Sequence, residues 1–192
     1  MLAEALLQDK CVYLIRHCQA EGQDSDAPLT ETGRQQAEVL AAFFQELTVD
    51  AIVTSPYLRA IDTAVPLAKG KAIDFRIDDR LSERVLSALP ITDWRNVLKE
   101  TFVDHDLVYA GGESSREATA RGIHALTAAL QSVPSSVAIV THGNLFTLML
   151  QAFDSSYGYK EWSTLSNPDV YKLWLPNQTV QIERLWKEEK RA

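Results

Sequence analysis

Three short stretches carry side chains that could do chemistry. Leu14-Ile15-Arg16-His17-Cys18 ends an apolar run on two basic residues. Ser55-Pro56-Tyr57-Leu58-Arg59 follows a second apolar run, and Val140-Thr141-His142-Gly143-Asn144 closes a third. An arginine offers a planar fork of donors that fits the oxygens of a phosphoryl group. A histidine kept neutral among such cations can attack phosphorus, and a helix start adds backbone N–H groups and the positive end of a dipole. Each stretch alone has an ordinary reading: a solvated strand end for Arg16-His17, a turn for His-Gly-Asn, a surface residue for Arg59. Their force comes from occurring together, each directly after an apolar run.

The elements that must position these residues alternate in type. Apolar, β-branched segments at 11–15, 50–54, 72–77 and 137–141 read as strands, with two more near 170–175 and 179–186. Helical spacing follows "PLTETG", where Thr30 is a plausible N-cap and Ala37, Leu40, Ala41, Phe44 and Leu47 share one face. A second helix is expected after Pro56, kinked or ended by Pro66. A third is expected over 113–132 and a fourth after "THGN". Strand–helix alternation predicts an α/β chain: a three-layer α/β/α sandwich around a mostly parallel sheet. In such sheets ligands bind beyond the carboxyl ends of the strands, where all three basic stretches lie. The segment 84–112, bounded by Pro90 and Gly111-Gly112, reads as a lid-like insertion in one domain spanning 1–192.

Composition narrows the partners. The 192 residues carry a net charge of −7, which argues against nucleic acid or an anionic membrane surface as a partner. No window approaches the ~18 apolar residues of a membrane span, and the first ten residues lack the features of a secretory leader. A soluble, cytoplasmic protein acting on a small phosphorylated molecule is expected. Cys11 and Cys18, if joined by extended chain, stand ~23 Å apart, beyond the ~4.4–6.8 Å reach of a disulfide. No cysteine or histidine spacing suggests zinc. His105, between Asp104 and Asp106, reads as a solvated loop residue, and His124 as a helix-surface residue. Trp94, Phe102, Tyr159 and Trp162 are candidates for lining a substrate entrance or for simple packing.

In order along the chain, "LIRHCQAE", "DAPLTETGRQQA", "SPYLRAIDTA", "RLSER", "GGES" and "VTHGN" resemble the motifs of the histidine phosphatase superfamily, the family of cofactor-dependent phosphoglycerate mutases and related phosphatases. The resemblance runs from about 11 to 147. It implies the phosphoglycerate mutase-like fold and a phosphohistidine on His17. It also implies a phosphate pocket of Arg16, Arg59 and His142, with Glu83 as the acid that protonates the leaving group. Glu21 and Glu113 are the alternatives to Glu83. No metal or other cofactor is implied. Two positions depart from the family pattern. Cys18 stands where glycine is usual, and is expected to be a packing residue in an ordinary backbone conformation. Gln23 stands where many members have a phosphate-binding asparagine. The implied activity is hydrolysis of a phosphate monoester. A phosphoglycerate mutase and a non-catalytic phosphate-binding module are the alternatives.

Overall fold

A computed structural model describes residue 5, residues 7–176 and residues 179–186. Six strands form one sheet: β1 (Cys11–Arg16), β2 (Ala51–Thr54), β3 (Phe75–Ile77), β4 (Ser136–Thr141), β5 (Asp169–Trp174) and β6 (Gln181–Arg184). Their spatial order is β3-β2-β4-β1-β5-β6. The first four are mutually parallel, and β5 runs antiparallel to both β1 and β6. Arg16 is in register with Thr141, so His17 and His142 leave the sheet side by side.

The helices are α1 (Glu31–Phe43), α2 (Leu58–Lys71), α3 (Trp94–Thr101), α4 (Ser115–Gln131), α5 (Gly143–Gln151) and the short α6 (Tyr159–Ser163). Strand side chains alternate between two apolar layers, as the pleat requires. Val12, Leu14, Val137, Ile139 and Leu173 pack with Ala125 and Leu126 of α4 and Leu145 and Met149 of α5. Tyr13, Ile15, Ile52, Ala138, Val140 and Val170 pack with Leu40 of α1 and Ala64 and Leu67 of α2. The three layers expected from sequence are these.

Local chemistry explains the helix starts. Thr30 caps α1, its hydroxyl accepting from the Gly33 amide at 2.9 Å. Gly33 itself can be nothing larger, because a Cβ there would lie 2.0 Å from the Gln19 carbonyl oxygen. Ser114 and Glu117 form a complete capping box on α4.

Three expectations need correction. Of the two outcomes expected at Pro66, a kink or an end, the end does not occur: α2 runs on to Lys71. Losing one N–H and crowding one carbonyl costs ~3 kcal/mol, offset by the buried row Ala60, Ala64, Leu67 and Ala68 against the sheet. The strand expected at 72–77 starts only at Phe75, because Ala72 takes the left-handed conformation (φ 52°) that stops α2. The fourth helix begins at Gly143, inside "THGN", with His142 as its N-cap. The segment 84–112 contains α3 and is otherwise irregular. Among the described residues no helix is long and apolar enough to cross a membrane.

Candidate active site

β1 and β4 deliver His17 and His142 to the same rim, and α2 returns Arg59 to it from the other side. The His17 and His142 rings stand 5.1 Å apart, centroid to centroid. Both side chains are buried, as is Arg59 at 1% exposure. The main chain fixes where His17 leaves the sheet. Its amide donates to the Thr141 carbonyl at 3.0 Å, and its carbonyl accepts from the Asn167 side-chain amide at 2.7 Å.

The hydrogen bonds assign the protons of His17. Nδ1 lies 2.6 Å from the Cys18 carbonyl oxygen, which can only accept, so Nδ1 carries the hydrogen. Nε2 is therefore the lone pair, and Arg59 Nε donates to it at 3.2 Å. Burial pushes the imidazole pKa down to about 3; the Cys18 bond works against this, and the charges of Arg59 and Arg16 reinforce it. His17 is thus neutral at physiological pH, with a nucleophilic nitrogen facing a guanidinium.

His142 Nε2 lies 2.7 Å from Ser55 Oγ. That hydroxyl already accepts from the Tyr57 amide at 3.2 Å, and its own hydrogen has no acceptor other than the imidazole among the described residues. Ser55 thus donates to Nε2, which leaves the hydrogen of His142 on Nδ1. Burial, then the charges of His17 and the surrounding arginines, hold this imidazole well below its usual pKa. Nδ1 of His142 and Nε of Arg16 are both buried without a partner among the described residues. They are two donors with no acceptor among the described residues, the arrangement an anion would complete. Arg16 is anchored by Nη1, which donates to the carbonyls of Leu165 (2.9 Å) and Ser166 (3.3 Å). Arg59 Nη1 donates to the carbonyls of Gln23 (3.1 Å) and Asp24 (2.8 Å), and its guanidinium rests over the Tyr57 ring.

Glu83 reaches the same place from the turn after β3. Oε1 accepts from the amides of Arg84 (2.9 Å) and Leu145 (3.0 Å), and Oε2 from that of Asn144 (3.1 Å). The carboxylate thus covers the first turn of α5, where the helix dipole favours a negative charge. Its turn is held from three sides. Thr141 Oγ1 donates to the Leu81 carbonyl, Arg121 Nη1 to those of Arg80 and Ser82, and Arg84 to that of Glu113. Burial lowers the pKa of both Arg16 and Arg59, and the charge of Glu83 opposes that fall in each.

Two basic forks, a neutral nucleophilic imidazole, a second imidazole N–H, a carboxylate and a helix start meet at one strand rim. Residues 12–187 match the family model described as histidine phosphatase superfamily, branch 1. The chain belongs to that superfamily. A similar curated protein is named "Probable phosphoglycerate mutase GpmB", from Cronobacter sakazakii; it is 34% identical, with 69% of each chain covered. Among solved structures, a mycobacterial glucosyl-3-phosphoglycerate phosphatase superposes with TM-score 0.73 at 23% identity, covering 91% of this chain and 97% of its own. A phosphoglycerate mutase from Bacillus anthracis superposes with TM-score 0.71 at 18% identity, covering 92% of each. These two share the fold.

In this member of the superfamily the other sequence candidates separate clearly. Glu113 is taken by Arg121 in a two-pronged ion pair at 2.5 and 3.0 Å. Glu21 is exposed. Gln23 meets Arg59 through its carbonyl only, and its exposed side chain has no hydrogen bond among the described residues. His105 Nε2 donates to the Phe102 carbonyl at 3.2 Å, Asp106 pairs with Arg116, and His124 is exposed on α4. No group of three or more His, Cys, Asp or Glu side chains among the described residues is arranged to hold a metal ion.

Cys18 has a negative φ and is fully buried in the layer of α1 and α2. Burial pushes its thiol pKa up to about 12, far from a reactive thiolate. Its main chain does the positioning. The carbonyl fixes His17, and the amide donates to Thr63 Oγ1 at 2.9 Å, which in turn donates to the Arg59 carbonyl. Cys18→Gly should therefore cost about 1–3 kcal/mol of stability through lost packing and added chain freedom. Turnover should stay within about threefold; a larger loss in folded protein would refute the packing role.

Ser55 and Asn167 are missed by the sequence reading. Asn167-Pro168 signals only a turn, and its contact with His17 spans 150 residues.

The neutral histidines set an acid limit. His17 takes its proton at about 3 when folded against 6.5 as a free imidazole. Between those values the unfolded chain binds more protons, so stability is intact above 6.5 and falls as pH drops toward 3. His142 acts in the same sense. Urea unfolding at stepped pH should show wild type losing about 1.4 kcal/mol per pH unit more than His17→Gln in this window. Equal slopes would contradict a neutral, buried His17.

Proposed function

We propose that the protein is a metal-independent phosphatase that hydrolyses a phosphate monoester through a phosphohistidine on His17. The observation that carries this reading is the assigned lone pair on His17 Nε2, facing Arg59 and flanked by the unpartnered donors of Arg16 and His142. An entering phosphoryl group takes the Arg59 Nε–H onto one of its oxygens and frees Nε2. Nε2 attacks phosphorus as the P–O ester bond breaks, and the electron pair leaves on the ester oxygen. The carboxyl group of Glu83 acts as the general acid that gives that oxygen its hydrogen, from Oε2, which accepts one amide where Oε1 accepts two. The imidazolium so formed keeps its Nδ1–H on the Cys18 carbonyl. In the second half, the Glu83 carboxylate takes a proton from water and the water oxygen attacks phosphorus. The P–N bond breaks back onto Nε2, and inorganic phosphate is released. Arg16, Arg59 and His142 offset the charge on the equatorial oxygens, where each donor is worth about 3–4 kcal/mol in comparable sites.

Transfer to a second alcohol on a phosphoglycerate is the second reading, favoured by the relative named as a mutase. Incubation with phosphoglycerate and, separately, with simple phosphate esters decides between them. Stoichiometric release of inorganic phosphate is expected. Isomerised phosphoglycerate with little free phosphate would overturn the phosphatase reading.

A further inference from the structure

A line of aromatic rings runs from the interior to the surface past the phosphate pocket. Phe102, 6% exposed, faces Tyr159 at 6.5 Å; Tyr159 lies 5.3 Å from Trp162 at a shallow 32°; Trp162 meets Trp94 edge-on at 6.0 Å. The inner end of this line touches the site. A methyl group placed on Gly143 would lie 3.2 Å from Arg16 Nε and 3.4 Å from Trp162 Nε1. The Trp162 indole and the Arg16 guanidinium therefore border the same point, one residue beyond His142.

The outer end is open. Trp94 is 42% exposed, with the Arg95 guanidinium 4.7 Å from its ring. Five of the eight large hydrophobic side chains exposed among the described residues lie within 84–112: Val85, Leu89, Trp94, Val103 and Val108.

We infer that Trp94 and Trp162 form the leaving-group subsite, and that the preferred substrate is a phosphate monoester whose alcohol carries a flat, apolar face. This rests on the phosphatase reading of the His17 pocket. The phosphoryl group is common to every candidate ester and is met by charge. What lies on its far side is met by rings that stack readily on a planar group. Arg95, packed on Trp94, restrains that ring, and a restrained contact surface loses less entropy on binding.

The test compares two esters whose alcohols differ little in acidity, so the chemical step is matched: 2-phenylethyl phosphate and n-butyl phosphate. Wild type should show kcat/KM at least about tenfold higher for the phenylethyl ester, the range of a single stacking contact. Trp94→Ala should remove most of that preference, lowering kcat/KM for the phenylethyl ester at least about fivefold more than for the butyl ester, with a circular dichroism melt to show that the variant is folded. Trp94→Phe should restore it. No preference in wild type, or an equal loss on both esters in Trp94→Ala, would overturn the subsite. So would an unchanged ratio accompanied by a shift in sedimentation, which would make the exposed Trp94 a contact between proteins. His17→Ala separates the two readings. If both esters are still hydrolysed without His17, the phosphohistidine reading falls; if they are not and the preference is absent, only the subsite falls.

Discussion

His17→Gln is expected to abolish turnover of every phosphate ester, by at least about 10⁴-fold, while the protein stays folded. Glutamine can place an amide N–H on the Cys18 carbonyl and fill most of the imidazole volume, so the buried pocket keeps its packing. What it lacks is a nucleophilic lone pair. The pocket cations remain in the variant, and so phosphate binding should persist: an inorganic phosphate titration should still raise its unfolding midpoint. Loss of turnover together with loss of phosphate binding would indicate collapse of the pocket rather than removal of the nucleophile. A circular dichroism melt alongside the assay distinguishes the two.

Glu83→Gln is the second large effect, expected at about 10²–10⁴-fold on kcat for esters of simple alcohols. The argument is chemical. An alkoxide leaving group needs a proton, and water attacking a phosphohistidine must lose one; the proposal gives both transfers to this carboxyl group. A nitrophenolate leaves without a proton, so p-nitrophenyl phosphate should still phosphorylate His17 in the variant. The second half should then stall, giving a burst of one nitrophenolate per site followed by slow release of phosphate. Glutamine also places an NH₂ group against an amide that now donates to Glu83, at Asn144, Leu145 or Arg84. A modest loss of stability, about 1 kcal/mol as for other lost helix caps, should accompany the kinetic change. Equal rate losses for alkyl and nitrophenyl esters, with no burst, would move the acid–base role elsewhere.

The residues that announce chemistry in this sequence do so because their surroundings are regular. Arg16-His17 and His142 each end a strand whose β-branched residues are buried on both faces, and a parallel sheet sends such ends to one rim. Thr30 and the 3.6-residue spacing after it marked α1 for similar reasons. Local pattern is weaker where tertiary contacts decide. Pro66 reads as a breaker, yet the apolar face packed on the sheet holds α2 through it. The strand at 72–77 was shortened by one left-handed alanine that no propensity singles out. Within the site, the family resemblance puts Glu83 ahead of Glu113 without a physical reason. Only the fold puts Arg121 against Glu113 and the start of α5 against Glu83. Ser55 and Asn167 touch His142 and His17 across 87 and 150 residues, separations at which no spacing rule operates. The cysteine after His17 needs no chemical role, because what the nucleophile takes from that position is a carbonyl oxygen, common to every residue type.

The central claim is that the phosphoryl group passes through Nε2 of His17. Glu83→Gln, mixed with p-nitrophenyl phosphate and stopped in alkali, where phosphohistidine survives and acyl phosphates do not, puts this to direct measurement. Digestion at alkaline pH and mass spectrometry should find one phosphoryl group, on His17. A phosphoryl group on His142, Ser55 or Cys18, or release of nitrophenolate with none on the protein, would contradict it.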